Sequence, residues 1–321
     1  MNFYFAPMEG LTGYIYRNAH HACFNSIDRY YAPFVSANES GNFKKREWED
    51  LAPENNRGYV LIPQILANRA KEFITMAEKI RQLGYEEINL NLGCPSGTVV
   101  AKGKGSGFLA KPAELDAFLY EIFAWGGVRI SIKTRIGKDH PEEFIELIEL
   151  FNKYPVAELT IHPRIQKEFY KNMPHMEMFQ YALSHSRLPI CYNGNLFTTG
   201  QYHEFAEKYP GVPSVMLGRG LLVNPGLAKE IRQGSRTGKD TLKAFHDIVY
   251  DGYRSLLSGE VTILYKMKEI WLYMICIFSD HEKYAKKIRK SERLRDYEEA
   301  VSSLFREQEL LDRYEQNLGK I

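Results

Sequence analysis

Short apolar runs recur along the chain and alternate with longer, more polar segments. Each run contains β-branched or aromatic residues and is bounded by polar or glycine-containing stretches, a pattern typical of strands. We therefore predict eight strands. They are Phe3–Ala6, Arg29–Val35, Tyr59–Ile65, Glu87–Leu92, Arg129–Thr134, Glu158–His162, Pro189–Tyr192 and Ser214–Leu217.

Segments with helical spacing lie between these runs. In Lys71–Leu83 the apolar residues recur close to helical spacing, and Glu114–Ala124 and Glu142–Tyr154 show the same pattern. Strands that alternate with helices imply βαβ units and a parallel sheet. Eight such units in roughly 230 residues predict a (β/α)8 TIM barrel. A doubly wound sheet is the alternative, but it would have fewer strands and a glycine-rich first turn.

The pattern changes near residue 235. The polar stretch Gln233–Lys239 is typical of a linker, and from Thr241 to the end the pattern is helical. We predict a barrel domain over residues 1–235 and a smaller all-helical domain over residues 240–321. The polar stretch Asn38–Gly58 is predicted to be a long surface loop after the second strand.

Composition narrows the class of protein without identifying it. Of 321 residues, 44% are hydrophobic and 26% are charged, as in an ordinary soluble globular protein. The four cysteines form no CxxC pair, so neither a zinc site nor a disulfide framework is expected. No signal peptide or membrane-spanning run is recognisable. We expect a cytoplasmic protein with no membrane, metal or obligate protein partner. A net charge of +2 indicates no particular partner.

Polar or glycine-rich groups stand at almost every predicted strand end. Because catalytic groups of (β/α)8 barrels gather at the C-terminal ends of the strands, these are the candidate site residues. They are Pro7, Met8 and Glu9 after the first strand, Gln64 in the third, Cys94 after the fourth, Lys133 and Arg135 at the fifth, His162 and Arg164 at the sixth, Asn193, Gly194 and Asn195 after the seventh, and Gly218 and Arg219 after the eighth.

Cys94 lies in the sequence Asn91-Leu92-Gly93-Cys94-Pro95-Ser96-Gly97, directly after a buried strand. Glycine permits unusual backbone angles and proline fixes φ, so this thiol is held on a stiff turn. Such a position suits chemistry, although a structural cysteine is an open alternative.

The last two strand ends predict a phosphate site. Barrels often bind phosphate in the loops after strands seven and eight, where Asn193–Asn195 and Gly218–Gly220 offer backbone N–H groups and Arg219 adds charge. Tight turns are the alternative explanation. Lys133 would be an expensive buried charge unless it met an anion, such as the edge of a reduced flavin, or a carboxylate inside the barrel. Gln64 suits a flavin edge because it both donates and accepts. His162 is either a cofactor donor or structural.

In order along the chain, these pieces resemble the dihydrouridine synthase family of FMN-dependent RNA-modifying enzymes. Two positions depart from the family pattern, because Pro163 and Ile165 flank Arg164 and Asn195 replaces an acidic residue. The matching pieces are Ala6-Pro7-Met8, Gln64, Asn91–Pro95, Lys104–Gly107, Lys133–Arg135, His162–Arg164 with Tyr170, Asn193-Gly194, Gly218–Gly220 and, in the helical region, Tyr265–Trp271.

The resemblance implies reduction of the uracil C5=C6 bond in tRNA, with tightly bound FMN and with NADPH as reductant. C6 would receive hydride and Cys94 would protonate C5 as general acid. The resemblance implies cofactor contacts from eleven of the strand-end residues: Pro7, Met8, Glu9, Gln64, Lys133, His162, Asn193, Gly194, Asn195, Gly218 and Arg219. It also implies contacts to uracil or RNA from Asn91, Lys104, Arg135, Arg164, Tyr170, Lys266 and Lys268.

A basic segment in the helical region is a candidate RNA surface. Lys283–Arg295 contains seven basic residues against one acid, and at helical spacing Lys283, Lys286, Lys287 and Lys290 share one face. A solvated helix face is the alternative. Two competing functions also stay open: an FMN barrel oxidoreductase that reduces a free pyrimidine or enal, and a non-catalytic RNA-binding protein that kept the barrel. The resemblance favours tRNA over rRNA as the substrate.

Overall fold

The computed structural model describes residues 1–320. It contains ten strand segments and fourteen α-helices. The strands are β1 (Asn2–Phe5), β2 (Arg29–Tyr31), β3 (Val35–Ser36), β4 (Leu61–Ile62), β5 (Gln64–Leu66), β6 (Glu87–Leu92), β7 (Arg129–Arg135), β8 (Leu159–His162), β9 (Ile190–Tyr192) and β10 (Ser214–Leu217). The helices are α1 (Tyr14–Phe24), α2 (Lys45–Leu51), α3 (Ala70–Gln82), α4 (Gly97–Val100), α5 (Pro112–Trp125), α6 (Glu143–Phe151), α7 (Met176–His185), α8 (Thr199–Lys208), α9 (Arg219–Val223), α10 (Leu227–Gln233), α11 (Lys239–Leu256), α12 (Glu260–Met274), α13 (His281–Lys290) and α14 (Leu294–Glu307).

All ten segments belong to one parallel sheet with the order β3-β5-β6-β7-β8-β9-β10-β1-β2-β4. β2 and β3 are two pieces of one predicted strand, and β4 and β5 are two pieces of the next. Pro33 and Pro63 lie between the pieces, where a residue without an N–H interrupts the ladder. β2 pairs with β4 and β3 pairs with β5, so the two ends of the order meet. The fold is therefore an eight-stranded (β/α)8 barrel, as predicted.

The three predicted helices are confirmed as α3, α5 and α6, with ends shifted by a few residues. In α3 the buried residues follow helical spacing, since Phe73, Met76, Ala77 and Ile80 all lie on the covered face. Helix α5 begins at Pro112, whose fixed φ suits a first turn. It ends at Gly126 with a φ of 63°, the left-handed conformation common at helix ends.

The prediction of an irregular loop over residues 38–58 is wrong in part. Helix α2 occupies Lys45–Leu51 and a short 3-10 turn follows at Pro53–Asn55. Leu51 and the carboxyl-bearing Glu47 are buried, and Glu47 accepts hydrogen bonds from the backbone of Ser36 and Lys44. These contacts with neighbouring backbone stabilise a helix whose own sequence is mostly charged.

The chain divides into two compact units. The first comprises Met1–Glu9, Asp28–Asn195 and Gly211–Met216, and the second comprises Gly10–Ile27, Leu196–Pro210 and Leu217 onward. The domain boundaries given above, near residues 235 and 240, stay a prediction.

After Gly238 the regular structure of the described residues is helical, as expected for the C-terminal region. A buried polar cluster holds part of it together: Trp271 Nε1 donates to the hydroxyl of Tyr297 at 2.8 Å, and that hydroxyl lies 2.6 Å from Nε2 of His246. Because indole only donates, Tyr297 accepts from Trp271. The Asp247 carboxylate, 2.9 Å from His246 Nδ1, only accepts, so Nδ1 carries the proton of the buried imidazole and Nε2 accepts from Tyr297. Among the described residues, no helix has the length and apolar character needed to span a bilayer.

Candidate active site

The loop that carries Cys94 is fixed from two sides. Asn91 Oδ1, at the end of β6, accepts hydrogen bonds from the backbone N–H groups of Gly93 (3.0 Å) and Cys94 (2.9 Å). On the other side, Ser106 donates its hydroxyl (2.8 Å) and its N–H (3.1 Å) to the carbonyl of Cys94. The half-buried Cys94 side chain therefore projects from a backbone whose polar groups are held in place.

Gly105 allows this close packing. Its φ of 57° is left-handed, and a Cβ at this position would lie 2.8 Å from the Cys94 carbonyl oxygen. Both facts exclude a larger residue without movement of the loop. Gly105, one of the two glycines in the Lys104–Gly107 segment, is thus required by the backbone around Cys94.

A chain of side-chain hydrogen bonds runs from this loop into the barrel. Asn91 Nδ2 donates to Gln64 Oε1 (2.7 Å), and Gln64 Nε2 donates to Asn89 Oδ1 (2.7 Å). Asn89 Nδ2 then donates to Ser131 Oγ (3.0 Å). All the bonds point the same way, so each polarises the next. This series of hydrogen bonds fixes which edge of each side-chain amide faces the barrel.

Sequence reasoning missed Asn89, Ser106 and Ser131. A signal for Asn89 was present: it stands two positions before Asn91 on the same strand, so both side chains face one side of the sheet. Gln64, Asn89 and Ser131 are register partners across three neighbouring strands, which is why their side chains meet.

Cys94 is held in its protonated form. Burial raises the pKa of the Cys94 thiol, and the Glu9 carboxylate raises it further. The backbone N–H of Ser96 and the cations Arg135 and Lys133 act in the opposite direction without reversing the shift. A raised pKa indicates a thiol at neutral pH, which is the form of a proton donor and not that of a nucleophile.

Lys133 is a cation without a protein partner. The side chain keeps some exposed surface, but desolvation of its ammonium group, aided by repulsion from Arg135, lowers the pKa of Lys133 to about 8. Within residues 1–320 no carboxylate pairs with it and no acceptor lies within hydrogen-bond distance of Nζ. The ion pair with a carboxylate that the sequence left open is therefore absent from the described part of the chain.

Arg135 ties two loops together. Its guanidinium donates to three backbone carbonyls, those of Gly93 (3.1 Å), Ile165 (2.9 Å) and Phe169 (2.7 Å). It also lies 5.4 Å from the ring centroid of Tyr170. Only 1% of the residue is exposed, so its donors serve the fold. A direct contact from Arg135 to RNA stays a prediction from the resemblance.

Arg164 is also buried and orders the polar groups after β8. It donates to the Asn172 carbonyl, to Asn195 Oδ1 (3.1 Å) and to His162 Nε2 (2.9 Å). Because a guanidinium only donates, His162 Nε2 must accept, which puts the imidazole proton on Nδ1. The half-exposed ring of Tyr170 stacks on His162 with centroids 5.8 Å apart.

The remaining cofactor candidates lie in turns. In the first unit, Asn193 Nδ2 donates to the Met216 carbonyl (2.7 Å), and a Cβ on Gly194 would lie 2.0 Å from the Tyr192 hydroxyl. The half-exposed Pro7 and Met8 precede Glu9, which pairs with Arg46. In the second unit, Gly218 precedes helix α9, and the Arg219 guanidinium lies 5.2 Å from the ring centroid of Phe197. The cofactor roles of these residues stay predictions.

The lysines predicted to contact RNA fall into two groups. Lys104, Lys266 and Lys268 are engaged inside the protein, through the Ala37 carbonyl and Glu72, the Gly10 carbonyl (2.6 Å), and the Ser291 carbonyl (2.5 Å), respectively. By contrast, Lys286, Lys287 and Lys290 are exposed on α13, whose buried face carries Tyr284 and Ile288. The helix ends at Lys290, so Arg293 and Arg295 lie beyond it.

The segment after β8 contains a histidine, His175, that is hydrogen-bonded through both ring nitrogens. His175 Nε2 and Nδ1 each lie 2.9 Å from a carboxylate, of Glu168 and Glu177 respectively. Burial alone would lower the pKa of His175, but the hydrogen bonds to these two carboxylates raise it. Among the described residues, no group of histidine, cysteine and carboxylate side chains could hold a metal ion.

A family model and several relatives match the sequence of this chain. The family model described as Dihydrouridine synthase (Dus) matches residues 4–319. A probable tRNA-dihydrouridine synthase of Staphylococcus aureus (strain Mu50) is 29% identical over 251 residues, which cover 75% of this chain and 74% of the relative. Probable tRNA-dihydrouridine synthase 2 of Bacillus subtilis (strain 168) is 28% identical over 266 residues, covering 78% of each.

Solved structures resemble the chain in fold. Morphinone reductase in complex with tetrahydroNAD aligns with a TM-score of 0.52 at 10% identity, covering 76% of this chain and 90% of that one. An old yellow enzyme homologue from Zymomonas mobilis aligns with a TM-score of 0.54 at 10% identity, covering 76% and 92%. At this identity the likeness concerns the barrel alone. With its family model matched over nearly all of its length, the chain belongs to the dihydrouridine synthase family and is a flavin-dependent oxidoreductase that uses a nicotinamide-type reductant.

Proposed function

We propose that this chain is an FMN-dependent tRNA-dihydrouridine synthase in which NADPH is the reductant and Cys94 is the proton donor. The reaction adds two hydrogens across the C5=C6 bond of a uridine in tRNA. The observation that carries the proposal is the thiol of Cys94, protonated at neutral pH and mounted on a backbone pinned by Asn91 and Ser106. The proposal includes a cytoplasmic location, in which the enzyme meets tRNA.

The residues around Cys94 suit a proton transfer to carbon. C6 receives a hydride, and the electron pair of the double bond shifts toward C5 and the neighbouring carbonyl. The Cys94 S–H bond then breaks, its proton bonds to C5, and the thiolate that remains recovers a proton from water. Lys133 and Arg135 favour the thiolate electrostatically, so they ease the loss of the proton without removing it beforehand.

Lys133 supports the assignment of a flavin. An enclosed ammonium without a protein partner needs an acceptor, and the N1–C2=O edge of an isoalloxazine ring supplies one. When bound, FMN supplies the hydride that C6 receives. Gln64 has its amide edge fixed by Asn89 and Asn91, so it can present a constant pattern to a planar ring. In the first unit, Asn193 and Gly194 are the residues that the sequence predicts for the phosphate.

The exposed lysines of α13 support an RNA partner. Lys286 and Lys290 are not engaged by any carboxylate in the described residues, and Lys287 lies 5.2 Å from the Tyr284 ring centroid. Free ammonium groups on one helix face suit contact with successive phosphates. A uridine inside folded RNA must leave its stack to reach a barrel mouth, so a second surface that holds the RNA is required.

Mass spectrometry of tRNA tests this function. Total tRNA from cells that lack this gene is incubated with NADPH and either wild-type protein or the Cys94→Ala variant. The wild type should form dihydrouridine and the variant should lose most of it, whereas Cys23→Ala, a half-buried cysteine elsewhere, is the matched control. Undiminished product from Cys94→Ala would refute the acid role.

Two further measurements distinguish the competing functions. Reduction of free uracil or uridine, with none in tRNA, would favour a small-molecule flavin oxidoreductase. Purified protein without flavin absorbance would favour a non-catalytic RNA-binding protein.

A further inference from the structure

The loop after β8 exposes three large apolar side chains. Phe169, Tyr170 and Met173 are 43%, 42% and 75% exposed, and we call these three residues the apolar rim. Among the ring contacts of the described residues, none covers the Phe169 ring. Large apolar side chains exposed at three of five successive positions in one loop mark a candidate interaction surface.

The backbone at Phe169 is strained. It has a φ of 52° and a ψ of −98°, and a positive φ is a genuine outlier for a bulky residue. The surrounding structure maintains it, because the Phe169 carbonyl accepts from Arg135 at 2.7 Å and its N–H donates to the Gln166 carbonyl at 3.2 Å. Strain that buried the ring would be explained by folding. Here the strained residue keeps 43% of its surface exposed, so burial of the ring does not account for the strain, and a function does.

The apolar rim is joined to the loop of Cys94. One guanidinium, that of Arg135, bonds both the Gly93 carbonyl and the Phe169 carbonyl. Gln166 Nε2 donates to the Pro95 carbonyl at 3.2 Å, which adds a second link. The backbone of Phe169 is therefore linked directly to the backbone that carries the thiol.

The charges around the apolar rim favour a polyanion. Lys171 is exposed beside the rim, and Lys167 pairs with Asp139. Two acids, Glu168 and Glu177, share the imidazole of His175, whereas the guanidinium of Arg135 donates to three backbone carbonyls and adds a positive charge against the same loop. A partner that combines flat apolar faces with negative charge fits this surface, and an unpaired stretch of RNA has both.

We propose that the apolar rim is a stacking platform for an unpaired RNA base next to the uridine that enters the site. The Phe169 ring stacks on that base, and Met173 covers its edge. The platform holds the strand after the target uridine has left its stack, so that the uridine lies above the Cys94 loop. This inference rests on the proposed function, since it needs an RNA substrate.

Equilibrium binding and steady-state rates test the platform. Filter binding at fixed salt measures the dissociation constant for tRNA from cells that lack this gene, and mass spectrometry measures KM and kcat for the same tRNA. Phe169→Gly removes the ring and should raise Kd and KM roughly 5- to 100-fold, more than it lowers kcat. Phe169→Trp keeps a stacking face and should stay within about twofold of wild type.

Two further variants separate stacking from folding. Glycine accepts a positive φ, so Phe169→Gly should melt no earlier than wild type while it binds tRNA more weakly. Met173→Ala, at a position too exposed to affect folding, should raise Kd roughly two- to tenfold. Tyr120→Ala removes an exposed ring on α5 (68% exposed) and should change neither Kd nor KM.

The outcomes are distinct. Unchanged tRNA affinity in both Phe169→Gly and Met173→Ala overturns the platform, and so does an equal loss in Tyr120→Ala. A ring on this surface would then serve a protein partner or none. Failure of the proposed function is seen separately: wild-type protein that forms no dihydrouridine, yet loses tRNA affinity on Phe169→Gly, would refute the enzyme and keep the platform.

Discussion

Replacement of Lys133 by methionine should stabilise the flavin-free protein and abolish flavin retention. Methionine is similar in length and fills the same space without a charge. The folded protein encloses the Lys133 ammonium without an acceptor and beside Arg135, so the wild type spends free energy of folding to keep this charge. The variant is relieved of that cost.

The size of this free-energy cost follows from the lowered pKa of Lys133. A fall from the ordinary 10.5 to about 8 corresponds to about 3 kcal/mol, because one pKa unit is worth about 1.36 kcal/mol. Between pH 8 and 10.5 the unfolded chain holds this proton and the folded protein does not, so the stability of the wild type rises with pH. The advantage of Lys133→Met is therefore largest below pH 8 and disappears above about pH 10.5.

Urea denaturation of the flavin-free proteins at pH 7 and pH 10 measures this difference. Lys71→Met, at an exposed position on α3, is the matched control and should show no gain that depends on pH. Flavin absorbance after dialysis measures retention and should be lost in Lys133→Met. The reasoning fails if Lys133→Met is less stable than wild type at pH 7, or if its advantage is the same at both pH values.

Three other variants give measurable outcomes. Gly105→Ala should lower the free energy of unfolding by about 1–3 kcal/mol and reduce dihydrouridine yield, since its Cβ would meet the Cys94 carbonyl; wild-type stability would contradict this. Lys286→Glu with Lys290→Glu should weaken tRNA binding and flatten the slope of log K against log salt by about 2, so an unchanged slope would refute the RNA role of α13. The hydrogen bonds of His175 to two carboxylates raise its pKa against the opposing effect of burial, so its stabilisation is complete below about pH 6.5 and is lost as pH rises through the raised value. His175→Gln should remove that loss in denaturation curves, and a curve as pH-dependent as the wild type's would refute it.

The barrel was predictable because each strand is a local signal. The strand β6 is buried at every position, as expected for a strand covered on both faces, and its sequence Glu-Ile-Asn-Leu-Asn-Leu places an apolar residue at every second position before Gly93. The same logic identified Cys94, since a glycine and a proline around a residue at a strand end are visible without any fold. The separate helix α2 was missed because its stability comes from backbone groups that Glu47 reaches elsewhere.

The partners of the polar residues were not predictable, because they depend on register and on distant segments. Lys266 bonds the carbonyl of Gly10, which is 256 positions away. Lys104 bonds that of Ala37, 67 positions away. In the sequence both look like free cations suited to RNA, and only the packed chain supplies the acceptors that occupy them. Gln64 was identified as a polar strand end, but its fixed orientation follows from Asn89, which lies on another strand.

Arg135 has a consequence for redesign of the protein. Because one guanidinium fixes the carbonyls of Gly93 and Phe169, the backbone of the rim and that of the thiol loop form a single rigid mount. Side chains at positions 169, 171 and 173 can then be exchanged without relocating the thiol. A library varied at these three positions, with Arg135 retained, is the natural starting point for variants that accept the uridine in a different RNA context.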